Sequence, residues 1–360
     1  MTPDELQSKT ISFLRFPLTV GVIFIHFDLI EHPFTYHGVT YGLDRPSWYV
    51  FLINFFSEVL PQVAVPLFFI ISGYLFFRGA EAFDGTAYRR KLLKRGRTLL
   101  VPYVLWNLVA YLFHALYLFL SGAALGEYLV SPLRIFHNAN GGSIPYPFDL
   151  PMWYVRELMV MVVFSPLVYW LVRRIGGWIV GLLGAVYFVW QPLVTPEGSW
   201  GVLLSQAAFF FTWGAWFAIR GANFVGAFRR LPFMPMVYLP VAVADALTRG
   251  EACNLYIHQS GVVVGVVAVV ALVAWLLERG RVRVSPTLAA SSFFVYAFHT
   301  SVLFEVSKAV FVLFRLGDGV ASMLVLYVAT PLLCAALCVA VYLLLKRFAP
   351  ALCSLLTGGR

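Results

Sequence analysis

The chain has 360 residues, of which 61% are hydrophobic, 17% aromatic and only 12% charged, with a formal net charge of +9. Soluble globular proteins carry about 25% charged residues, so this balance, with a mean hydropathy of +0.82, excludes an ordinary soluble fold and points to a polytopic membrane protein. The positive charge sits in short connections between apolar runs, which excludes a nucleic-acid surface as its purpose.

A membrane-crossing helix needs about 20 apolar residues. About ten such segments follow one another at 11–30, 50–77, 98–120, 151–172, 176–195, 200–219, 233–249, 257–278, 291–314 and 320–346. The expected fold is therefore all-α, a single polytopic membrane domain over residues 1–360. The first segment holds Arg15 and His26 and lacks a small-residue cleavage site, so it is expected to stay as a helix and not to leave as a signal peptide. The second is too long for one straight span and contains Pro61 and Pro66, which predicts a short surface piece before the helix proper.

Arg78, Arg89, Arg90, Lys91, Lys94, Arg95 and Arg97 crowd the segment 78–97. Further basic residues recur at every second connection: Arg173 and Arg174; Arg220, Arg229 and Arg230; Arg279, Arg281 and Arg283; Lys346 and Arg347. The intervening connections hold only scattered Arg45, Arg134, Arg156, Arg249, Lys308 and Arg315. The positive-inside rule places both termini in the cytoplasm, 78–97 as a basic cytoplasmic loop and 121–150 as an outer loop. That outer loop carries the turn cluster HNANGGSIPYPFDLP, and the outer segment 31–48 adds His32, His37, Asp44 and Arg45. Cys253, Cys334, Cys338 and Cys353 lack metal-ligand spacing, so neither a metal nor a disulfide framework is expected. Cys334 and Cys338, one turn apart, read as helix packing.

Arg15 and His26 are the pair that an inert anchor would avoid. Eleven residues at 100° each return to within about 20° of the same face and rise about 16 Å. Both side chains therefore look into one groove, and intramembrane ionisable groups usually face an interior cavity. Arginine suits an anion such as phosphate, and histidine titrates near neutrality, as a general base should. The bland alternatives are an Arg15 that snorkels to the inner headgroups and a His26 that bonds a neighbouring helix. A same-face phosphate holder and base suit an elongated anionic donor entering from the cytoplasm, and acyl-CoA fits that description. Asp28 reads as an end-of-helix polar residue, not as the partner of His26.

With that pair in view, the chain resembles the membrane acyltransferase-3 family. The resemblance rests on Arg15 and His26 with ten residues between them, and on four later phrases: VPLFFIISGYLFF (65–77), KRGRTLLVPYVLWN (94–107), LPMWYVRELMV (150–160) and SFFVYAFH (292–299). It runs in order along the whole chain. It implies transfer of acyl groups onto sugars and other extracytoplasmic acceptors. Many members continue into a periplasmic hydrolase-like domain, and none is expected here. The expectation is direct acylation of the acceptor, or handover to a separate transferase or polysaccharide-synthesis protein.

The remaining candidates are weaker. Arg95 and Arg97 stand where the third helix is expected to begin, so a helix N-terminus could add to phosphate binding; attraction to anionic lipid explains the same charges. His299 falls between Arg15 and His26 in expected depth and could line the same channel, or make an interhelical hydrogen bond. Trp153, Tyr154, Arg156 and Glu157, at the outer end of the fourth helix, could line the channel or the acceptor site; an aromatic belt is the bland reading of the first two, and partnering other helices that of the last two. Adjacent residues do not face each other on a helix, so these two are not expected to pair. Ser72 beside Gly73 reads as a small pair that permits close packing, with nucleophilic use the lesser reading. Glu305 and Lys308 are expected to pair with each other.

The expected function is a membrane O-acyltransferase, by default an O-acetyltransferase, in a bacterial cytoplasmic (inner) membrane. It would move an acyl group from acyl-CoA to a carbohydrate or envelope glycan, with no bound cofactor and no nucleic-acid partner. His26 would act as base, or transiently carry the acyl group. The competing readings are a transporter or flippase of glycan intermediates, disfavoured by the lack of an inverted repeat, and a structural component of a polysaccharide machine.

Overall fold

A computed structural model describes residues 1–29, 34–36, 39–41, 46–79, 83–120, 122, 146–194, 200–317 and 319–359. His32, His37, Asp44, Arg45, Arg134 and nearly all of the expected outer loop 121–150 lie outside the described residues. In chain order the helices are α1 (Pro3–Ile25), α2 (Ser47–Ile53), α3 (Ala64–Phe77), α4 (Gly85–Arg95), α5 (Val101–Leu120), α6 (Trp153–Val163), α7 (Ser165–Ile175) and α8 (Trp178–Val194). They continue with α9 (Trp200–Ile219), α10 (Phe224–Arg229), α11 (Met234–Leu247), α12 (Asn254–Glu278), α13 (Pro286–Leu313), α14 (Val320–Phe348) and α15 (Pro350–Thr357). The fold is all-α as expected, with one short antiparallel hairpin of β1 (Phe34–Tyr36) and β2 (Val39–Tyr41), Phe34 opposite Tyr41.

Each expected apolar segment falls on a helix, but length and composition qualify fewer than ten as spans. Among the described residues six runs are long and apolar enough: Pro3–Ile25, Ser47–Phe77, Gly85–Leu120, Asn254–Glu278, Pro286–Leu313 and Val320–Phe348. A seventh is the pair Leu150–Val163 and Ser165–Ile175, bent by 62°. Trp178–Val189, Leu204–Ile219 and Met234–Leu247 are apolar but shorter. The bend follows from Pro166, which has no N–H for the helical ladder; the Ser165 hydroxyl instead donates to the Val162 carbonyl at 2.7 Å.

Three boundaries differ from expectation for local reasons. The first helix starts at Pro3, because Thr2 caps it by accepting the Glu5 N–H at 3.2 Å and acidic Asp4 and Glu5 fill its first turn. The expected surface piece before the second span is absent. Residues 47–77 stay helical, with a π stretch (Asn54–Val59) and a 3-10 turn (Leu60–Val63) absorbing Pro61. The segment 78–97 is not an open loop either. Asp84 accepts the Ala87 N–H at 2.7 Å, caps α4, and α4 runs through a π turn (Gly96–Leu100) into α5. Arg95 and Arg97 therefore lie inside a continuous helix, and the expected helix N-terminus is not beside them.

The chain divides into two compact units, Met1–Phe68 with Ala222–Ala340 and Phe69–Gly221 with Val341–Arg360. The first unit has a core of Ile23, Phe27, Tyr49, Ile53, Val295, Leu326, Tyr327 and Cys338. Arg229 pairs with Glu278 at 2.8 Å, and the Asn223 amide donates to the Pro3 carbonyl at 2.9 Å, so the start of α1 and the end of α12 share one face of this unit. In the second unit the Trp106 indole donates to the Leu356 carbonyl at 2.9 Å and docks α15 on α5.

Gly73 and Gly214 set the tightest contact of the second unit. A Cβ at Gly73 would fall on the Phe211 carbonyl oxygen and one at Gly214 on the Ile70 carbonyl oxygen, so α3 and α9 touch backbone to backbone. Small residues permit this approach between membrane helices, which is the packing role expected of the Ser72–Gly73 pair. Gly73→Ala or Gly214→Ala is expected to destabilise the protein by about 1–3 kcal/mol, the usual cost of overpacking. A drop in unfolding temperature in detergent, largest for a bulkier Gly214→Leu, checks this.

Candidate active site

The first unit builds its polar site at the end of α1. Helix α1 closes at Ile25, not at residue 30, and His26 is its C-cap residue. The stop is made by competition for the Phe24 carbonyl, which accepts the Ser57 hydroxyl at 2.8 Å and the Phe27 N–H at 3.2 Å. The Ser57 hydroxyl lies 2.7 Å from the Tyr327 hydroxyl, and the Tyr327 ring meets Phe24 edge-on at 5.6 Å. This clamp fixes the backbone two residues before His26. Sequence reasoning missed Ser57 and Tyr327, because neither stands in a polar pattern of its own.

Helix α13 brings His299 to His26. The two rings lie 5.3 Å apart, centroid to centroid, and are inclined at 35°. Seven residues earlier on both helices, the Thr19 hydroxyl lies 3.5 Å from the Ser292 carbonyl. Both contacts have the same sequence offset of 273 residues, so α1 and α13 run in the same direction. The same offset sets Arg15 level with Leu288, in the first turn of α13, where the Ser285 hydroxyl caps the helix by accepting the Leu288 N–H at 3.4 Å. Arg15 and His26 are both partly exposed, and His299 is fully buried.

His299 is held on two sides. Its Nδ1 lies 2.7 Å from the Tyr296 carbonyl, and its own carbonyl accepts the Cys334 thiol at 3.7 Å. Cys334 and Cys338 are buried in the core, the packing role expected of them. Asp28 is 1% exposed, a buried carboxylate within electrostatic reach of Tyr327. Two further charge clusters were not foreseen. Asp245 is 1% exposed and accepts from His258 Nδ1 and the Asn254 amide at 2.8 and 2.9 Å, and Arg249 pairs with Glu58 at 2.6 Å. They tie α11 to α12 and to the helical run after α2.

The other candidates lie in the second unit. Arg95 and Arg97, two residues apart, face different surroundings. Arg95 is partly buried, 5.9 Å from the Phe76 ring and within electrostatic reach of Tyr154. Tyr154 packs on Phe69 at 4.7 Å, and its hydroxyl lies 2.9 Å from that of Ser72. Arg97 is exposed and lines an open basic groove of about 590 Å3 with Arg89, Arg90 and Lys94. Lys91 donates to the Phe76 carbonyl, closing the end of α3.

Arg156 and Glu157 pair with each other at 3.0 Å, which corrects the expectation that neighbours on a helix stay apart. The guanidinium is long enough to fold back along its own turn, and burial of Glu157, which is 0% exposed, rewards it. Tyr103 lies within electrostatic reach of both and of Asp149, whose backbone N–H donates to Asn107 at 3.0 Å. Trp153 is partly buried on the same helix. Lys308 and Glu305 pair as expected, at 2.9 Å.

Six helices long and apolar enough to cross a bilayer, among the described residues, define an integral membrane protein. The acyltransferase domain family matches residues 9–345, and the chain belongs to that family. It is a membrane acyltransferase. It is 26% identical, over 379 aligned positions, to the succinoglycan biosynthesis protein ExoH of Rhizobium meliloti (strain 1021), covering 99% of this chain and 94% of that protein. No solved structure matches it.

Proposed function

We propose that the protein transfers an acyl group, acetyl by default, from cytoplasmic acyl-CoA to a hydroxyl of an extracytoplasmic carbohydrate. The single observation that carries this reading is the His26–His299 ring pair at 5.3 Å, at the end of the helix that also bears Arg15. The likeness to a succinoglycan biosynthesis protein supports a polysaccharide or its precursor as acceptor. In this reading the membrane is the bacterial cytoplasmic one. The six long spans, the bent pair and the three shorter helices together make ten crossings with both termini inside.

Arg15 is a phosphate holder for the donor, and Arg95 and Arg97 of the second unit are further candidates. His26 takes the proton of the acceptor hydroxyl as its oxygen bonds to the thioester carbonyl carbon. The carbon–sulfur bond then breaks, and the CoA thiolate leaves and recovers a proton. No oxidant or reductant is needed. An acyl-histidine route would give the same products in two steps.

The test is acceptor-dependent release of free thiol from acyl-CoA by the purified protein in lipid. Thiol release with sugar acceptors supports the reading. Its absence across acyl-CoAs and acceptors sinks it and favours a transporter of glycan intermediates. Arg15→Ala is expected to raise KM for acyl-CoA by about 10- to 100-fold, the worth of one hydrogen bond to a charged group, with a smaller change in kcat.

A further inference from the structure

The tautomer of His299 can be read from its partner. A carbonyl oxygen only accepts, so Nδ1, 2.7 Å from the Tyr296 carbonyl, must carry the hydrogen. In the neutral ring Nε2 is then a bare lone pair. It is buried and has no hydrogen-bond partner among the described residues. Buried acceptors are rarely left unpaired, and such an exception calls for an explanation. The polar ring packed beside it is that of His26; the two are not bonded as placed, and at 5.3 Å between centroids a turn of the His26 ring brings one of its nitrogens within a single hydrogen bond of Nε2.

We propose that His299 is a positioning residue whose Nε2 accepts the N–H of His26 and thereby selects which His26 nitrogen carries the proton-accepting lone pair. This rests on the reading of His26 as base. The remaining His26 nitrogen takes the acceptor's proton, and the imidazolium so formed still donates its other N–H to His299. His299 keeps its own Nδ1 hydrogen throughout, because the Tyr296 carbonyl accepts the hydrogen bond but is too weak a base to take the proton. The Cys334 contact to the His299 carbonyl and the Ser57 clamp on Phe24 hold the two ring-bearing turns in register.

Two measurements test it. In the first, His299→Phe is expected to lower kcat for thiol release by about 10- to 100-fold, the scale of a misoriented catalytic group, with KM for acyl-CoA unchanged. His299→Gln, whose side-chain oxygen can accept near the place of Nε2, is expected to recover part of that loss. A His299→Phe enzyme within twofold of wild type overturns the proposal, as does a glutamine variant no better than phenylalanine. In the second, 15N-histidine-labelled wild-type protein in lipid is examined for a scalar coupling between a His26 nitrogen and His299 Nε2 across the hydrogen bond. The coupling is expected, and its absence overturns the proposal even where a variant fails to fold. This second arm needs no activity, so it separates a failed pairing from a failed assignment of the reaction.

Discussion

His26→Ala is expected to slow thiol release from acyl-CoA by about 100- to 10,000-fold, the usual contribution of a positioned general base. The protein should stay folded and still bind acyl-CoA. His26 is partly exposed and stands at the helix end, so removing its ring opens no closed core position. The turn before it is held by other atoms, the Ser57 hydroxyl and the Phe27 N–H on the Phe24 carbonyl. Arg15 lies about 16 Å away along the helix, beyond the reach of the change, so donor affinity should survive. Steady-state kinetics beside a direct acyl-CoA binding measurement distinguish the outcomes. Release within threefold of wild type removes His26 from the chemistry. Loss of binding together with release makes it a donor contact instead.

Glu157→Ala carries the largest expected effect on stability. Glu157 is 0% exposed and its partner Arg156 has a side chain only 16% exposed. Arginine cannot shed its charge, so deleting the carboxylate leaves a guanidinium with its nearest counter-charge gone. Breaking a buried ion pair from one side costs about 3–5 kcal/mol. Thermal unfolding in detergent should show this as a marked loss, and Glu157→Gln, which keeps an acceptor oxygen, should lose less. The double change Arg156→Met, Glu157→Ala should recover much of it, since the charge that needed a partner is gone. Equal losses in the single and double variants would mean that the pair is not what holds this turn.

Much of the membrane architecture was legible because a span is a local property. Twenty apolar residues announce a helix wherever they stand, and each expected segment falls on one. The errors arose where local chemistry competes. Thr2 and Pro3 begin α1 before its apolar run, Asp84 turns a basic connection into α4, and π and 3-10 turns carry Pro61 without a break. Arg95 and Arg97 look alike in sequence. Only the phase of a helix that was not expected there sends one toward Tyr154 and the other to the basic groove.

The sequence by itself determined the class of protein and set Arg15 and His26 toward one face of the first helix, because eleven residues of helix fix a common face without help from any other element. The tertiary structure alone decided what stands against that face. His299 meets His26 across 273 residues of chain only because α1 and α13 run in parallel and in register. Gly73 and Gly214 reveal their purpose only when α3 and α9 touch, and Glu157 its partner only when it is buried. Periodicity is written in neighbours along the chain, whereas the company of a buried side chain is chosen by packing between segments remote in sequence.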